Sequence, residues 1–145
     1  VFELKFDMRA FHKARLLTDS KIRTRAQKIV SASGFRIEAA AKKAAPVNFG
    51  RLRDAIVMTK PDPFTARVTA GVNYAEFVEK GRQPGKFPPL GPIKLWATRV
   101  LGNPGAAFAI ARKIAMKGTK AQPFLGPALK KEKPTFIKNL RTLFK

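Results

Sequence analysis

The sequence predicts an α+β fold: an antiparallel sheet of at least three strands packed against a long helix in the N-terminal half, with further short helices and a C-terminal helix. Three observations carry this. Apolar residues alternate with polar ones in "VFELKFD" and "FTARVTAGV", and "DAIVMTK" between turn signals reads as a further strand. A helical period fills the stretch between "VFELKFD" and "DAIVMTK", and helical patterning dominates after "FTARVTAGV". Strands grouped in this way place their helices on one face of an antiparallel sheet. A length of 145 residues fits one domain, 1–145, with a modest core.

The elements follow in order. In "VFELKFD", Phe2, Leu4 and Phe6 share one face and Glu3, Lys5 and Asp7 the other, the pattern of a half-buried strand and not of a signal peptide. "MRAFHKARLL" reads as a short helix, and "TDS" at 18–20 offers N-cap residues. From Asp19 to Ala45, Ile22, Ala26, Ile29, Val30, Ser33, Ile37, Ala40, Ala41 and Ala44 fall on one side of a helix. Lys21, Arg25, Lys28, Arg36 and Lys43 make a basic stripe beside it. Gly34 interrupts the middle, and Pro46 ends the helix because the residue before a proline avoids helical dihedrals.

"DAIVMTK" and "FTARVTAGV" are strands joined at "KPDPF", too short a link for a parallel crossover, so they pair antiparallel. Phe64, Ala66, Val68, Ala70 and Val72 alternate with Thr65, Arg67, Thr69 and Gly71, so one face is buried and the sheet keeps an exposed polar side. "YAEFVEK" is a short helix stopped by Gly81. "GRQPGKFPPLGP" is a loop rigid with proline and glycine. "IKLWATRVLG" and "AAFAIARKIAMKG" are two amphipathic helices divided by "GNPG". The last helix starts near Phe124 or after Pro134, with Phe136, Ile137, Leu140, Leu143 and Phe144 as its apolar stripe.

Thirty Lys and Arg against nine Asp and Glu give a net charge of +21. So large a charge repels itself and calls for an anionic partner: nucleic acid, an acidic protein surface or anionic lipid. No apolar run reaches the roughly 18 residues of a membrane span, so no membrane partner is expected. The absence of cysteine removes disulfides and thiolate metal sites. His12, the one histidine, sits in a basic segment with no nucleophile motif around it, and a solvated role is expected. Asp54, Asp62, Glu76 and Glu79 are the carboxylates a cation-dependent nuclease would need, but basic residues surround them and no converging set is evident. "GRQPGK" lacks the spacing of a phosphate-binding loop. No enzyme and no cofactor is expected. A nonspecific nucleic-acid-binding protein is the alternative that charge and the basic helix support.

Three segments stand in order: "AAPVNFGRLRDAI" at 44–56, "VNYAEFVEKGR" at 72–82 and "GTKAQPFLGPAL" at 118–129. With the N-terminal strand and the long helix, they resemble the tail-completion (tail-terminator, head–tail joining) proteins of long-tailed bacteriophages. The branch resembled is the one typified by the tenth gene product of a lambdoid coliphage. In the first segment Pro46, Val47, Gly50, Leu52 and Arg53 match the family pattern P-V-D-T-G-x-L-[RK], while Asn48 and Phe49 replace its Asp and Thr. In the second, Tyr74, Ala75, Val78, Glu79 and Gly81 match, and Lys80 stands where an aromatic is frequent. In the third, Gln122, Pro123, Phe124, Leu125, Pro127 and Ala128 match. Relative to many members, residues 82–117 form an insertion, rich in proline and glycine and then helical.

The resemblance implies a structural virion protein of the phage neck, found at the head–tail interface and in the host cytoplasm during assembly. Such a subunit forms a ring, commonly hexameric, between the tail tube protein and the head-completion or connector protein, with the genome passing through. It implies partner interfaces at the motif residues Asn48, Phe49, Gly50, Arg51, Tyr74, Glu79, Gly81, Gln122, Pro123, Phe124 and Leu125. Two roles are open for the uncharged "AQPFLGPAL". Phe124 and Leu125 either anchor in a neighbour's pocket or staple the C-terminal helix to its own core. The stripe Lys21, Arg25, Lys28, Arg36 and Lys43 would face an acidic partner or touch passing DNA.

Overall fold

The long helical period folds as one helix, α1 (Ser20–Ala44). The computed structural model describes residues 2–7, 20–47 and 50–144. The short helix expected at 8–17, with His12, and the Asn48–Phe49 pair lie outside the described residues. α1 buries Ala26, Val30, Ser33, Gly34, Ile37 and Ala41, the inward side of the expected period. Ala44, expected among them, is exposed, and Ala45 is buried instead. Helical hydrogen bonding ends there with the Ala45 N–H on the Ala41 carbonyl at 2.8 Å, and the chain then leaves the helix toward Pro46.

Gly34 does not break α1; it lets the helix approach the sheet. A Cβ placed on it would stand 2.8 Å from the Ala66 Cβ and 3.0 Å from Met58 Cγ. Both neighbours lie on the paired strands β2 (Ile56–Asp62) and β3 (Thr65–Ala70). These run antiparallel, with Ile56 opposite Ala70 and Met58 opposite Val68, and all four side chains are buried toward α1. The register slips between Thr59 and Asp62, where β2 holds one residue more than β3. Pro61 sits in that bulge, the one kind of strand position that tolerates a missing N–H. Asp62 Oδ1 then accepts the Phe64 N–H at 2.9 Å and closes the turn. The expectation that β3 buries a single face needs a correction: Thr65, on the alternate set, is buried as well. It lies at the closed end of the hairpin, opposite Asp62. β1 (Phe2–Asp7) runs antiparallel beside β3, with Phe2 opposite Ala70 and Asp7 opposite Thr65.

Between α1 and β2 lies the single turn α2 (Arg51–Asp54), which buries Leu52. After β3 comes α3 (Ala75–Lys80). The last helix, α6 (Leu125–Arg141), begins at the earlier of its two expected starts and runs through Pro134. Pro134 is exposed on this helix, and its missing N–H costs α6 one internal hydrogen bond. α6 packs on α1 through Leu125, Ala128, Glu132, Phe136 and Leu140, and a 3-10 turn, Thr142–Phe144, adds Leu143. The core is the layer between the hairpin, α1 and α6, with Phe124, Ile37, Ile56, Leu125, Val30 and Val68 as its largest fully buried apolar side chains.

The chain forms two compact units. The first comprises residues 1–79 and 122–145, and the second Lys80–Ala121. The second unit holds α4 (Leu90–Leu101) and α5 (Ala106–Lys117), joined by a tight turn in which Asn103 Oδ1 accepts the Gly105 N–H. Its two ends pair: the Arg82 N–H donates to the Thr119 carbonyl at 3.1 Å and the Thr119 N–H to the Arg82 carbonyl at 2.9 Å. Gly81 makes that pairing possible. Its φ is +74°, and a Cβ there would fall 2.6 Å from the Thr119 carbonyl oxygen.

Candidate interaction site

The stretch "AQPFLGPAL" solves a problem at the start of α6. A helix leaves its first four N–H groups without internal acceptors, and these are commonly met by Ser, Thr, Asp or Asn at the cap. α6 has none: Phe124 is its cap residue, and its first turn holds no acid. The acceptor comes from α3 instead. Glu79 Oε2 accepts the N–H groups of Phe124 at 2.8 Å and Leu125 at 2.9 Å, and Oε1 accepts that of Gly126 at 2.8 Å. Pro127 has no N–H to satisfy. Gly126 gives the carboxylate room, since a Cβ there would lie 3.0 Å from Oε1. The positive end of the helix dipole faces the same charge. The Gln122 N–H donates to the Val78 carbonyl at 2.8 Å and holds the approach to the cap beside α3. The second and third sequence segments thus meet at one buried carboxylate.

This geometry sorts the residues expected at partner interfaces. Phe124 and Leu125 are 0% exposed, so of the two roles open for them the structure shows the internal one: they staple α6 to the core and present no anchor to a neighbour. Glu79 is buried and fully engaged as the cap. Gly81 serves the close approach to Thr119. Exposed are Arg51, Tyr74, Gln122 and Pro123, with Gly50 half-buried at the left-handed N-cap of α2. Phe77, not singled out from the sequence, is exposed one turn from Tyr74 on the same side of α3. Nothing in the sequence signals it, because the inward turn of Glu79 that places Phe77 outside is visible only in the structure.

The basic stripe of α1 lies across the helix from its buried side. Lys21, Arg25, Lys28, Arg36 and Lys43 are all exposed. Arg36 is committed internally as well: its Nε donates to Glu132 Oε1 at 2.9 Å, and a terminal nitrogen donates to Ser33 Oγ at 3.0 Å. Ser33 Oγ donates in turn to Glu132 Oε1, a buried bond that ties α1 to α6. Glu38 is used in the same way, accepting from Lys42 Nζ at 2.6 Å and from the Met58 N–H at 3.1 Å. Among the described residues, Glu38, Asp62, Glu79 and Glu132 hold the chain's own donors. The surface is more one-sidedly basic than composition alone conveys.

The second unit differs in what it buries. Its buried side chains are Pro88, Ala97, Ala107 and Ala111. Phe87, Leu90, Leu95, Val100, Leu101, Phe108 and Met116 are exposed. Phe87 and Phe108 stack obliquely, with ring centroids 5.7 Å apart.

Among the described residues, no group of three or more His, Cys, Asp or Glu is placed to hold a metal ion. No described helix is long and apolar enough to cross a membrane. Compared with known proteins, residues 11–81 match the family model described as "Bacteriophage HK97-gp10, putative tail-component". The resemblance is thereby borne out for the first two segments, as far as Gly81, and the third, at 118–129, lies outside the match. The match stops at Gly81, one residue past the start of the second unit at Lys80. No curated protein and no solved structure matches the chain.

Proposed function

With residues 11–81 matching a bacteriophage tail-component family, we propose that the chain is a structural subunit of the phage neck. It forms a ring, a hexamer, that terminates or completes the tail and joins it to the head. The tail tube protein lies on one side and the head-completion or connector protein on the other, and the genome passes through. The subunit works by assembly and catalyses no reaction. It resides in the virion at the head–tail interface and in the host cytoplasm beforehand. The family match is the observation that carries this reading.

In this reading the sheet, with β1 as its third strand, is the platform of the subunit. Contacts between copies fall to exposed motif residues: Arg51, Tyr74, Gln122 and Pro123, with Phe77 beside them and Asn48 and Phe49 in the same first segment. The test is electron microscopy of particles assembled without the protein. Tails of abnormal length, or heads and tails that never join, are expected; normally joined particles would overturn the reading. Light scattering of the purified chain mixed with tail tubes should report a closed oligomer, and Tyr74→Ala with Arg51→Glu should abolish it.

The exposed stripe of Lys21, Arg25, Lys28 and Lys43 favours a second reading, nonspecific nucleic-acid binding. Phosphate contacts make affinity fall steeply with salt, by a log–log slope of about 0.9 per neutralised phosphate. A duplex titration across salt separates the readings. In the neck reading these residues face acidic protein and bind duplex only weakly.

A further inference from the structure

The second unit carries nine Lys and Arg (Lys80, Arg82, Lys86, Lys94, Arg99, Arg112, Lys113, Lys117, Lys120) and no Asp or Glu. On α5, Phe108 and Met116 are 61% and 64% exposed. They stand four residues to either side of exposed Arg112, so the three form one strip along the helix. Phe87 extends the strip through its ring contact with Phe108. The half-buried Ile93, Trp96, Ile110 and Ile114 of the unit leave this strip uncovered.

Three kinds of surface answer to positive charge, and the strip discriminates among them. A duplex rewards Arg112 through its phosphates, but an exposed Phe and Met gain from it only by reaching base edges or wedging between base steps, which costs unstacking. A membrane-lying helix keeps its cations on the face opposite its apolar one, whereas here Arg112 stands in the middle of the apolar strip. Aromatic residues, Met and Arg together are what protein interfaces concentrate. Copy-to-copy contacts in the ring fall to motif residues of the first unit, and a second copy is a poor occupant of this strip. Its second unit has no acid to meet Arg112, and at least four acids of its first unit already hold internal donors.

We propose that the strip Phe87–Phe108–Arg112–Met116 docks a different virion protein, through an apolar depression on that protein bordered by Asp and Glu side chains. This names the chemistry of a partner within the neck reading and rests on it. The apolar side chains supply the buried contact, and Arg112 selects the acidic border by a bidentate bond.

The test uses intact particles. The chain is produced with Met116 replaced by a photoreactive phenylalanine, cross-linked in the assembled virion, and the joined peptide is sequenced. In parallel, chain per particle is measured by quantitative mass spectrometry for Arg112→Glu and Arg112→Lys, with circular dichroism melts of both purified variants. The expected result is a cross-link to another polypeptide, in a peptide containing Asp or Glu. Arg112→Glu should incorporate at least tenfold less than wild type and Arg112→Lys within about threefold, with melts unchanged. A cross-link to a second copy of this chain or to nucleic acid overturns the proposal, as does normal incorporation of Arg112→Glu. If Arg112→Glu fails to fold, the cross-link alone decides. Absence of the wild-type chain from particles overturns the neck reading itself. Its presence without a cross-link to another protein overturns only this proposal.

Discussion

The two units treat the same kind of residue in opposite ways. In the first, Phe124, Leu125, Ile37, Ile56, Val30 and Val68 are closed off from solvent between a hairpin and two helices. In the second, only Ala97, Ala107 and Ala111 of the apolar helix residues are buried, Ile93, Trp96, Ile110 and Ile114 are half-buried, and Phe87, Leu95, Leu101, Phe108 and Met116 are exposed. Both sets lie in amphipathic patterns that look alike on paper. The difference teaches that apolar periodicity says a face wants covering but not by what: a core element of the same chain, or something else.

The sharpest way to break this contrast is one substitution made in each unit. Phe124→Ala removes a fully buried ring and should cost about 3–5 kcal/mol. Urea unfolding followed by circular dichroism should show a lower midpoint at unchanged slope. A loss under about 1 kcal/mol would mean that Phe124 is not the core residue its burial implies. Next in size is Glu79→Ala, which strands three N–H groups at the start of α6. Stranded buried donors cost about 1–3 kcal/mol each when nothing relaxes, so about 2–4 kcal/mol in total is expected after water enters. Glu79→Gln, which keeps one acceptor oxygen, should fall between alanine and wild type in the same assay.

A smaller effect tests the approach of α1 to the sheet. Gly34→Ala gains about 1 kcal/mol in helix propensity. It also drives a methyl to 2.8 Å from the Ala66 Cβ and 3.0 Å from Met58 Cγ. The contact should win, for a net loss of about 1–3 kcal/mol. Ala66→Gly removes the facing methyl, so the double variant should be more stable than the two single losses added together. Additive losses would show that the helix does not pack as closely as the distances state.

These sites mark where the sequence was readable. α1 follows from local periodicity and the antiparallel hairpin from its short link, whereas the register, with its extra residue around Pro61, does not. Gly34 was ambiguous, since a mid-helix glycine signals either a break or a close approach, and only the facing Ala66 decides. The role of Glu79 was hidden because its partners lie about 45 positions away, and an acid on a short helix looks like a solvated side chain. A clue did exist: α6 begins without a capping residue or a first-turn acid, so its donors had to be met from elsewhere. Phe124 and Leu125 were open to two roles, anchor or internal staple, because an uncharged stretch held between prolines does not say which way its apolar pair turns. In fact Pro127 belongs to the helix and removes one donor that Glu79 would otherwise have to satisfy.

The smallest expected effect completes the comparison. Phe108→Ala makes the same chemical change as Phe124→Ala, at a side chain that keeps most of its surface in water. Little apolar area is lost, the half-exposed contact with Phe87 goes, and alanine gains about 0.5 kcal/mol in helix propensity. The balance should stay under about 1 kcal/mol. Trp96, the one tryptophan of the chain, stands in α4 and reports on the second unit directly. Its fluorescence in a urea titration should keep the wild-type midpoint in Phe108→Ala, within an error that would easily reveal a core loss. A fall comparable to that of Phe124→Ala would place Phe108 in a core and remove the ground for treating its strip as a docking face. An unchanged midpoint leaves a large apolar ring held in water at no benefit to folding, which is the condition a binding residue meets before its partner arrives.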